Sequence, residues 1–197
     1  MQQELATRLE GRLVTLEPLT ERHVEGLWTA ARDEAVWRWM TADAGRDENA
    51  FRAWIDDALA AAAAGTEAPF AVLRTGDGQP IGSTRYLALR PEHRGLEIGH
   101  TWLARRAWGT GANAEAKLLL LEHAFERLGC RRVEFKTDAR NERSRAALAA
   151  LPAAFEGVHR KHMLVRAGDS RDSAWYSVVD DDWPRVRAAL RARLSGT

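Results

Sequence analysis

Two kinds of hydrophobic spacing alternate along the chain. Residues 11–19 (GRLVTLEPL) place Leu13, Leu16 and Leu19 among polar neighbours, a pattern typical of an opening strand. Residues 20–32, with Thr20 as the expected N-cap, and residues 48–65 instead repeat apolar positions at helical intervals. The pattern therefore predicts one strand followed by two helices.

The remaining pattern predicts a strand meander and then a mixed second half. Three antiparallel strands are expected at 69–75, 81–89 and 96–103. The elements expected after them are a helix at 114–129, a strand at 131–138, a short helix at 141–151, closing strands at 155–166 and 173–183 around a loop at 167–172, and a terminal helix at 184–194. This order predicts a single α/β domain over residues 1–197, with a mixed sheet of about seven strands flanked by helices.

Composition narrows the classes of function. Lys and Arg number 29 against 28 Asp and Glu, a net charge of +1, so we expect neither nucleic acid nor a membrane as partner. The only cysteine, Cys130, has no disulfide partner within the chain, and no Cys/His cluster has zinc spacing. The first residues lack a signal-peptide core. We therefore expect a cytoplasmic protein without a metal.

The stretch RRAWGTGANAEAK, residues 105–117, places Gly109 and Gly111 immediately before an Ala/Leu-rich helix. Unpaired amides at a helix N-terminus bind phosphate, and glycine lets the backbone approach it closely. A Walker loop is excluded because Lys117 is followed by leucine. The spacing G-x-G-x-x-A, ending at Ala114, with Glu134 further on, also matches a dinucleotide fingerprint, and this alternative stays open.

Residues 96–151 resemble the acyl-CoA binding half of the GNAT superfamily of N-acetyltransferases, and within it the RimJ/RimL-like branch. The matching motifs are EIG, WGTGANAEA, HAFERLG and TDARNERS. The resemblance implies a GNAT-type mixed sheet whose fourth and fifth strands splay to form an acyl-CoA cleft. It also implies transfer of an acetyl group from acetyl-CoA to a primary amine, either a protein N-terminus or a small amine, by direct transfer in a ternary complex. It favours a homodimer.

The diphosphate motif of that family, Q/R-x-x-G-x-G/A, fits this chain in two frames. One uses Arg106, Gly109 and Gly111, and the other uses Trp108, Gly111 and Asn113. We prefer the second, because its glycine directly precedes the helix. The cofactor-binding residues implied by the resemblance are Trp102, Leu103, Arg106, Trp108, Gly109, Thr110, Gly111, Ala112, Asn113 and Asn141.

Catalytic candidates follow from the same resemblance. Ser144 is the candidate proton donor to the thiolate, and Leu148 stands where many members carry a tyrosine. Asn141 either contacts pantetheine or caps the following helix, and one residue can do both. Glu97 and His100 are the candidate bases, with a surface salt bridge and a structural histidine as the alternatives. Three positions apart on a regular strand, these two side chains should face opposite sides.

Tryptophans supply the candidate acceptor site. Trp37 and Trp39, with Trp28, precede a polar loop where the acceptor of the family enters, although an aromatic stripe is more often core. A non-catalytic acyl-CoA sensor is the alternative outside enzymes. In that case the fold would be retained without a working proton donor.

Overall fold

Within the part of the chain that the structure describes, eight strands form one continuous sheet. The computed structural model describes residues 2–165 and 168–196. The strands are β1 (Leu9–Glu10), β2 (Val14–Pro18), β3 (Ala68–Arg74), β4 (Pro80–Arg90), β5 (Gly95–Leu103), β6 (Arg132–Asp138), β7 (Ala154–Val165) and β8 (Asp169–Val179). The α-helices within the described residues are α1 (Gln2–Leu5), α2 (Val24–Ala31), α3 (Glu34–Trp37), α4 (Glu48–Ala63), α5 (Ala112–Glu122), α6 (Glu142–Ala149) and α7 (Trp183–Ser195).

The sheet has the order β1-β2-β3-β4-β5-β6-β8-β7. Every neighbouring pair is antiparallel except β5 and β6, which are parallel and joined through α5. The mixed α/β fold predicted from the sequence is confirmed, and the seven predicted strands correspond to β2–β8. The two-residue β1 is additional, because so short a strand has no alternation to detect. The single domain over 1–197 stays a prediction, since residues 1, 166, 167 and 197 lie outside the described residues.

The sheet separates two hydrophobic layers. One layer lies under α5 and α7 and contains Phe70, Tyr86 and Leu120, each with no exposed surface. The other lies under α2, α3 and α4 and includes Trp37 and Phe51. The helix α4 forms as its periodicity predicts: the Asp47 carboxylate accepts from the Ala50 amide at 2.8 Å, and its apolar stripe faces the sheet.

The closing strands begin and end earlier than predicted. β8 starts at Asp169, paired with Val165, so the expected loop at 167–172 is strand from residue 169 onward. The expected strand over 173–183 stops at Val179 and gives way to a turn and then α7, which starts at Trp183. The polar residues 169–172 concealed the start of the strand. Residues 166 and 167, which the prediction assigned to a strand end and a loop, lie outside the described residues.

β5 and β6 separate soon after they start. They pair at three positions, the last being Glu97 opposite Glu134, although β5 continues to Leu103 and β6 to Asp138. The expected splay of the fourth and fifth predicted strands is therefore present. It opens a gap in the middle of the sheet, and the candidate site lies in that gap.

Candidate active site

A cavity of about 740 Å³ occupies the gap between β5 and β6. Its walls come from the second half of β5, the N-terminal turns of α5, the helix α6 and the segment 39–41 that follows α3. Met163 and Arg171 of the β7–β8 hairpin close it at one side. The cavity thus joins the chain segments that the sequence marked as chemically important.

The N-terminus of α5 opens onto this cavity. Gly111 is the N-cap, with a φ of +86°, and Gly109 has a φ of +77°, so both positions require the left-handed backbone that glycine adopts readily. The Thr110 hydroxyl donates to the Ala107 carbonyl at 2.9 Å and fixes the turn. Glu115 donates its amide to the Gly111 carbonyl, and the preceding amides of the first turn have no intrahelical acceptor.

The residues of this turn divide into two groups. Trp108, Gly109, Gly111 and Asn113 line the cavity. The Arg106 guanidinium instead donates to the Pro80 carbonyl at 3.3 Å on the surface. Thr110 and Ala112 contribute backbone and turn contacts rather than cavity wall. The frame that uses Trp108, Gly111 and Asn113 therefore has all of its residues at the cavity.

This turn fits a diphosphate. A Cβ added at Gly109 meets no atom within 4 Å, so its surroundings are open to a ligand. The Arg143 guanidinium lies 3.3 Å from the centroid of the Trp108 ring and brings a positive charge to the same wall. The dinucleotide alternative loses its acidic residue, because Glu134 forms ion pairs with Arg90 and Arg132, both at 2.7 Å.

Trp102 and Leu103, expected to pair with a pantetheine arm through their main chain, lie on the separated part of β5 and line the cavity. The Leu103 carbonyl already accepts from the Trp108 indole at 2.8 Å. This bond ties the end of the strand to the glycine turn. A second acceptor position on that carbonyl remains for a ligand.

A bulge in β5 corrects the expected facing of the candidate bases. Arg85 pairs with Gly99, whereas Ser83 pairs with Trp102, so β5 has one extra residue between these two pairs. His100 sits there with a φ of +48°. The extra residue shifts the alternation by one, and Glu97 and His100 both line the cavity instead of facing opposite sides.

Glu97 is a buried carboxylate, 2% exposed, and not the surface group that the alternative reading expected. Its Oε2 accepts from the Lys136 ammonium at 2.6 Å. Burial raises the pKa of Glu97, and the Lys136 charge offsets part of that rise. A carboxyl with a raised pKa is a stronger base than an ordinary one.

His100 is a much weaker base. Burial is the main cause that lowers its pKa to about 4, and the Arg85 charge adds to the effect. The ring packs edge-on near Trp54, with centroids 6.4 Å apart. At neutral pH this imidazole is uncharged and holds a proton poorly.

Lys117 is a cavity residue that the sequence used only to exclude a Walker loop. It is 6% exposed, and its ammonium donates to the Thr101 hydroxyl at 2.7 Å. Burial lowers its pKa to about 7. The sequence around it, AKLLLL, indicated that Lys117 is buried, because a lysine flanked by apolar residues lies among side chains that pack into the core.

The α6 residues are arranged around the helix start. The Asn141 side chain accepts from the Ser144 amide at 3.1 Å, so Asn141 is the N-cap. Both residues also line the cavity, together with Leu148. Their roles toward a cofactor or a thiolate stay predictions.

The tryptophan pair separates, which corrects the expected acceptor wall. Trp37 has no exposed surface, and its indole donates to the Ala31 carbonyl at 2.7 Å within the core. Trp39 is half-buried and lines the cavity beside Met40. Trp28 packs on Phe51 in a different hollow of the surface. Trp37 is the last residue of α3, and Trp39 lies in the turn that follows. Side chains two positions apart along a helical turn point to roughly opposite sides of the axis, so the two tryptophans do not share one wall.

The structure offers neither a grouped metal site nor a membrane span in the part that it describes. Across residues 2–165 and 168–196, no three His, Cys, Asp or Glu side chains are grouped so that they could hold a metal ion. Among the helices described, none is long and apolar enough to cross a membrane.

Comparison with known proteins identifies close structural relatives. Residues 13–152 match the family model described as an acetyltransferase (GNAT) domain. A GCN5-related N-acetyltransferase from Brucella melitensis is 31% identical, with a TM-score of 0.87 over 95% of this chain and 85% of that one. A protein from T. thermophilus assigned as an acetyltransferase is 41% identical, with a TM-score of 0.85 over 95% and 96%.

A more distant relative shares the fold. The RimJ protein of Mycobacterium smegmatis, solved in complex with CoA-disulfide, is 21% identical, with a TM-score of 0.82 over 96% of each chain. No curated protein matches the chain.

Proposed function

The chain belongs to the GNAT acetyltransferase family, and from that premise we propose that it transfers an acetyl group from acetyl-CoA to a primary amine within a ternary complex. The family makes it an N-acetyltransferase. Our proposal goes beyond family membership in four respects: the donor site, the direct mechanism, the amine acceptor and a cytoplasmic location.

The donor site follows from the cavity. The amides of the first turn of α5, beside the open surroundings of Gly109, would hold the diphosphate of the carrier. Arg143 beside them adds a positive charge at the same wall. The separated edge of β5, ending at Leu103, would pair with the pantetheine arm, which brings an activated thioester into the gap.

The protein has three tasks in direct transfer: neutralising the amine, polarising the thioester carbonyl and returning a proton to the sulfur. We assign the first to the Glu97 carboxylate, which accepts the proton that the amine loses. Backbone amides of the bulge around His100 polarise the carbonyl. The Ser144 hydroxyl donates a proton to the departing thiolate and recovers one from solvent.

One observation supports this proposal above the others. The gap between β5 and β6 and the glycine-led N-terminus of α5 line one cavity, which supports a proposed diphosphate site next to a proposed reaction cleft. The test is release of free thiol from acetyl-CoA with a panel of amines, accompanied by thermal shift with acetyl-CoA and with NAD. Stabilisation by acetyl-CoA without thiol release for any amine would instead support the sensor reading.

A pair of glycine variants isolates the cradle. Gly109 and Gly78 have similar backbone angles, with φ of +77° and +68°, and neither has an atom within 4 Å of an added Cβ. Gly78 lies in the β3–β4 turn, away from the cavity residues. We expect Gly109→Ala and Gly78→Ala to lose similar stability, whereas only Gly109→Ala weakens acetyl-CoA binding. If the two variants bind acetyl-CoA with equal affinity, the turn at Gly109 does not bind the diphosphate.

A further inference from the structure

Arg171 is a buried charge in the wall of the cavity. This β8 residue is 6% exposed and lines the cavity opposite Met163, its partner on β7. Its Nε is buried and has no hydrogen-bond partner among the described residues. A buried guanidinium without its hydrogen bonds is unfavourable, so such a group is normally paired with an anion.

The surrounding carboxylates are already used by other cations. The charges of Asp138 and Glu97 act on Arg171. Asp138, however, accepts two bonds from the Arg140 guanidinium, at 3.0 and 2.9 Å, and Glu97 accepts from Lys136 at 2.6 Å. Both carboxylates that act on Arg171 are thus bonded to other cations, and the Arg171 Nε has no acceptor among the described residues.

We propose that Arg171 binds a carboxylate of the acceptor, so that the natural substrate is a small amine carrying a carboxylate a few bonds away, as in a free amino acid. This inference rests on the proposed acetyl transfer and specifies its acceptor. A guanidinium fork matches the two oxygens of a carboxylate, and burial strengthens that contact. The apolar side chains of Trp39, Met40 and Met163 line the same cavity and would contact the body of the acceptor.

The position relative to Glu97 sets the spacing of the two acceptor groups. Glu97, the proposed proton acceptor for the amine, lines the same cavity as Arg171, and the charges of the two groups act on each other. An acceptor held by both must carry its amine near its carboxylate. A protein N-terminus has an amide at that place, so it cannot satisfy the guanidinium in the same way.

The experiment compares leucine with leucinamide, which keeps the amine and the side chain but lacks the carboxylate. Rates are compared per neutral amine, because amidation lowers the amine pKa. For the unmodified protein we expect kcat/KM to favour leucine by about 10- to 100-fold, the range for a charged hydrogen bond. Arg171→Met should abolish this preference, which is read as a ratio because the Arg171 charge also acts on Glu97 and its loss changes both rates, and Arg171→Lys should keep part of the preference.

The preference is the ratio of kcat/KM for leucine to kcat/KM for leucinamide, measured on one protein sample. A change in the folded fraction of a variant affects both values equally and cancels in the ratio. Arg160→Met, an exposed arginine on β7, is the matched control and should leave the ratio unchanged. Acetyl-CoA affinity should be the same in all variants. The inference would be overturned if leucinamide or a peptide N-terminus is acetylated as well as leucine and Arg171→Met has no effect on the ratio. That result would leave the proposed acetyl transfer unaffected. If none of the amines causes release of thiol from acetyl-CoA, that result would instead count against the proposed function.

Discussion

Replacing Lys117 tests the electrostatics of the cleft directly. The side chain is buried, its ammonium has the Thr101 hydroxyl as a neutral partner, and Phe135 lies 5.6 Å away. The charged form therefore loses hydration that the folded protein does not fully replace. We expect Lys117→Met, a change that keeps a long unbranched side chain, to increase the free energy of unfolding at neutral pH.

The size of the effect follows from the two pKa values of Lys117. Burial lowers its pKa from 10.5 to about 7 in the folded protein. Between these values the unfolded chain binds one proton that the folded protein does not, so the stability of the unmodified protein rises with pH across this window. Each pH unit corresponds to about 1.36 kcal/mol. From about pH 7 to about pH 9 the advantage of Lys117→Met should shrink by roughly 2 kcal/mol.

The assay is urea unfolding of both proteins at the two pH values. Burial raises the pKa of Tyr86 and of Cys130, so both proteins lose some stability as the pH approaches 9 and above, but this change cancels in the difference between them. Lys161→Met, at an exposed position, is the control and should show no pH-dependent difference. If the Lys117→Met difference is the same at both pH values, Lys117 titrates alike in the folded and unfolded chains and the reasoning fails.

Three further predictions concern the core, the base and the cysteine. Trp37→Ala should lower the free energy of unfolding by about 3–5 kcal/mol in urea unfolding, because its ring is in the core. Trp39→Ala should mainly raise KM for the amine in steady-state kinetics. The opposite result for the two variants would contradict the structure. Glu97→Gln should lower kcat/KM by about 10²- to 10⁴-fold near neutral pH. The loss should become smaller at higher pH, because solvent then deprotonates the amine. A loss of kcat/KM that does not change with pH would exclude Glu97 as the base. Because burial raises the Cys130 pKa to about 11, the folded protein should react with thiol reagents only slowly near pH 8; rapid labelling would show an exposed thiolate.

The sequence predicted those parts of the fold that regular periodicity encodes. Phe51 and Trp54 recur at helical spacing in α4, and both are buried against the sheet. The start of β8 was missed because Asp169 and Asp172 are exposed and Arg171, though buried, is charged. A strand with polar residues on both faces carries no alternation of hydrophobic and polar positions, so only its pairing with β7 reveals it.

The site was predicted less completely, for a related reason. Residue type assigns both Lys117 and Arg171 to solvent; the apolar neighbours of Lys117 indicate its burial, whereas for Arg171 only tertiary packing does so. The facing of Glu97 and His100 was wrong because alternation assumes a regular strand, and the bulge that changes it involves a single residue. Gly99, beside His100, is the one sign of the bulge in the sequence, because a glycine inside a strand often marks a bulge, but it does not show which residue is the extra one.

The bulge also makes the choice between the two candidate bases a matter of pKa and not of direction. With both side chains at the cavity, either Glu97 or His100 has access to an amine. Burial lowers the pKa of His100 to about 4, whereas it raises that of Glu97, so the same dry surroundings weaken one base and strengthen the other. The Lys136 ammonium offsets part of the rise in the pKa of Glu97. Its removal, as in Lys136→Met, should therefore shift the acidic limb of the kcat/KM profile to higher pH, and an unmoved limb would show that another group controls it.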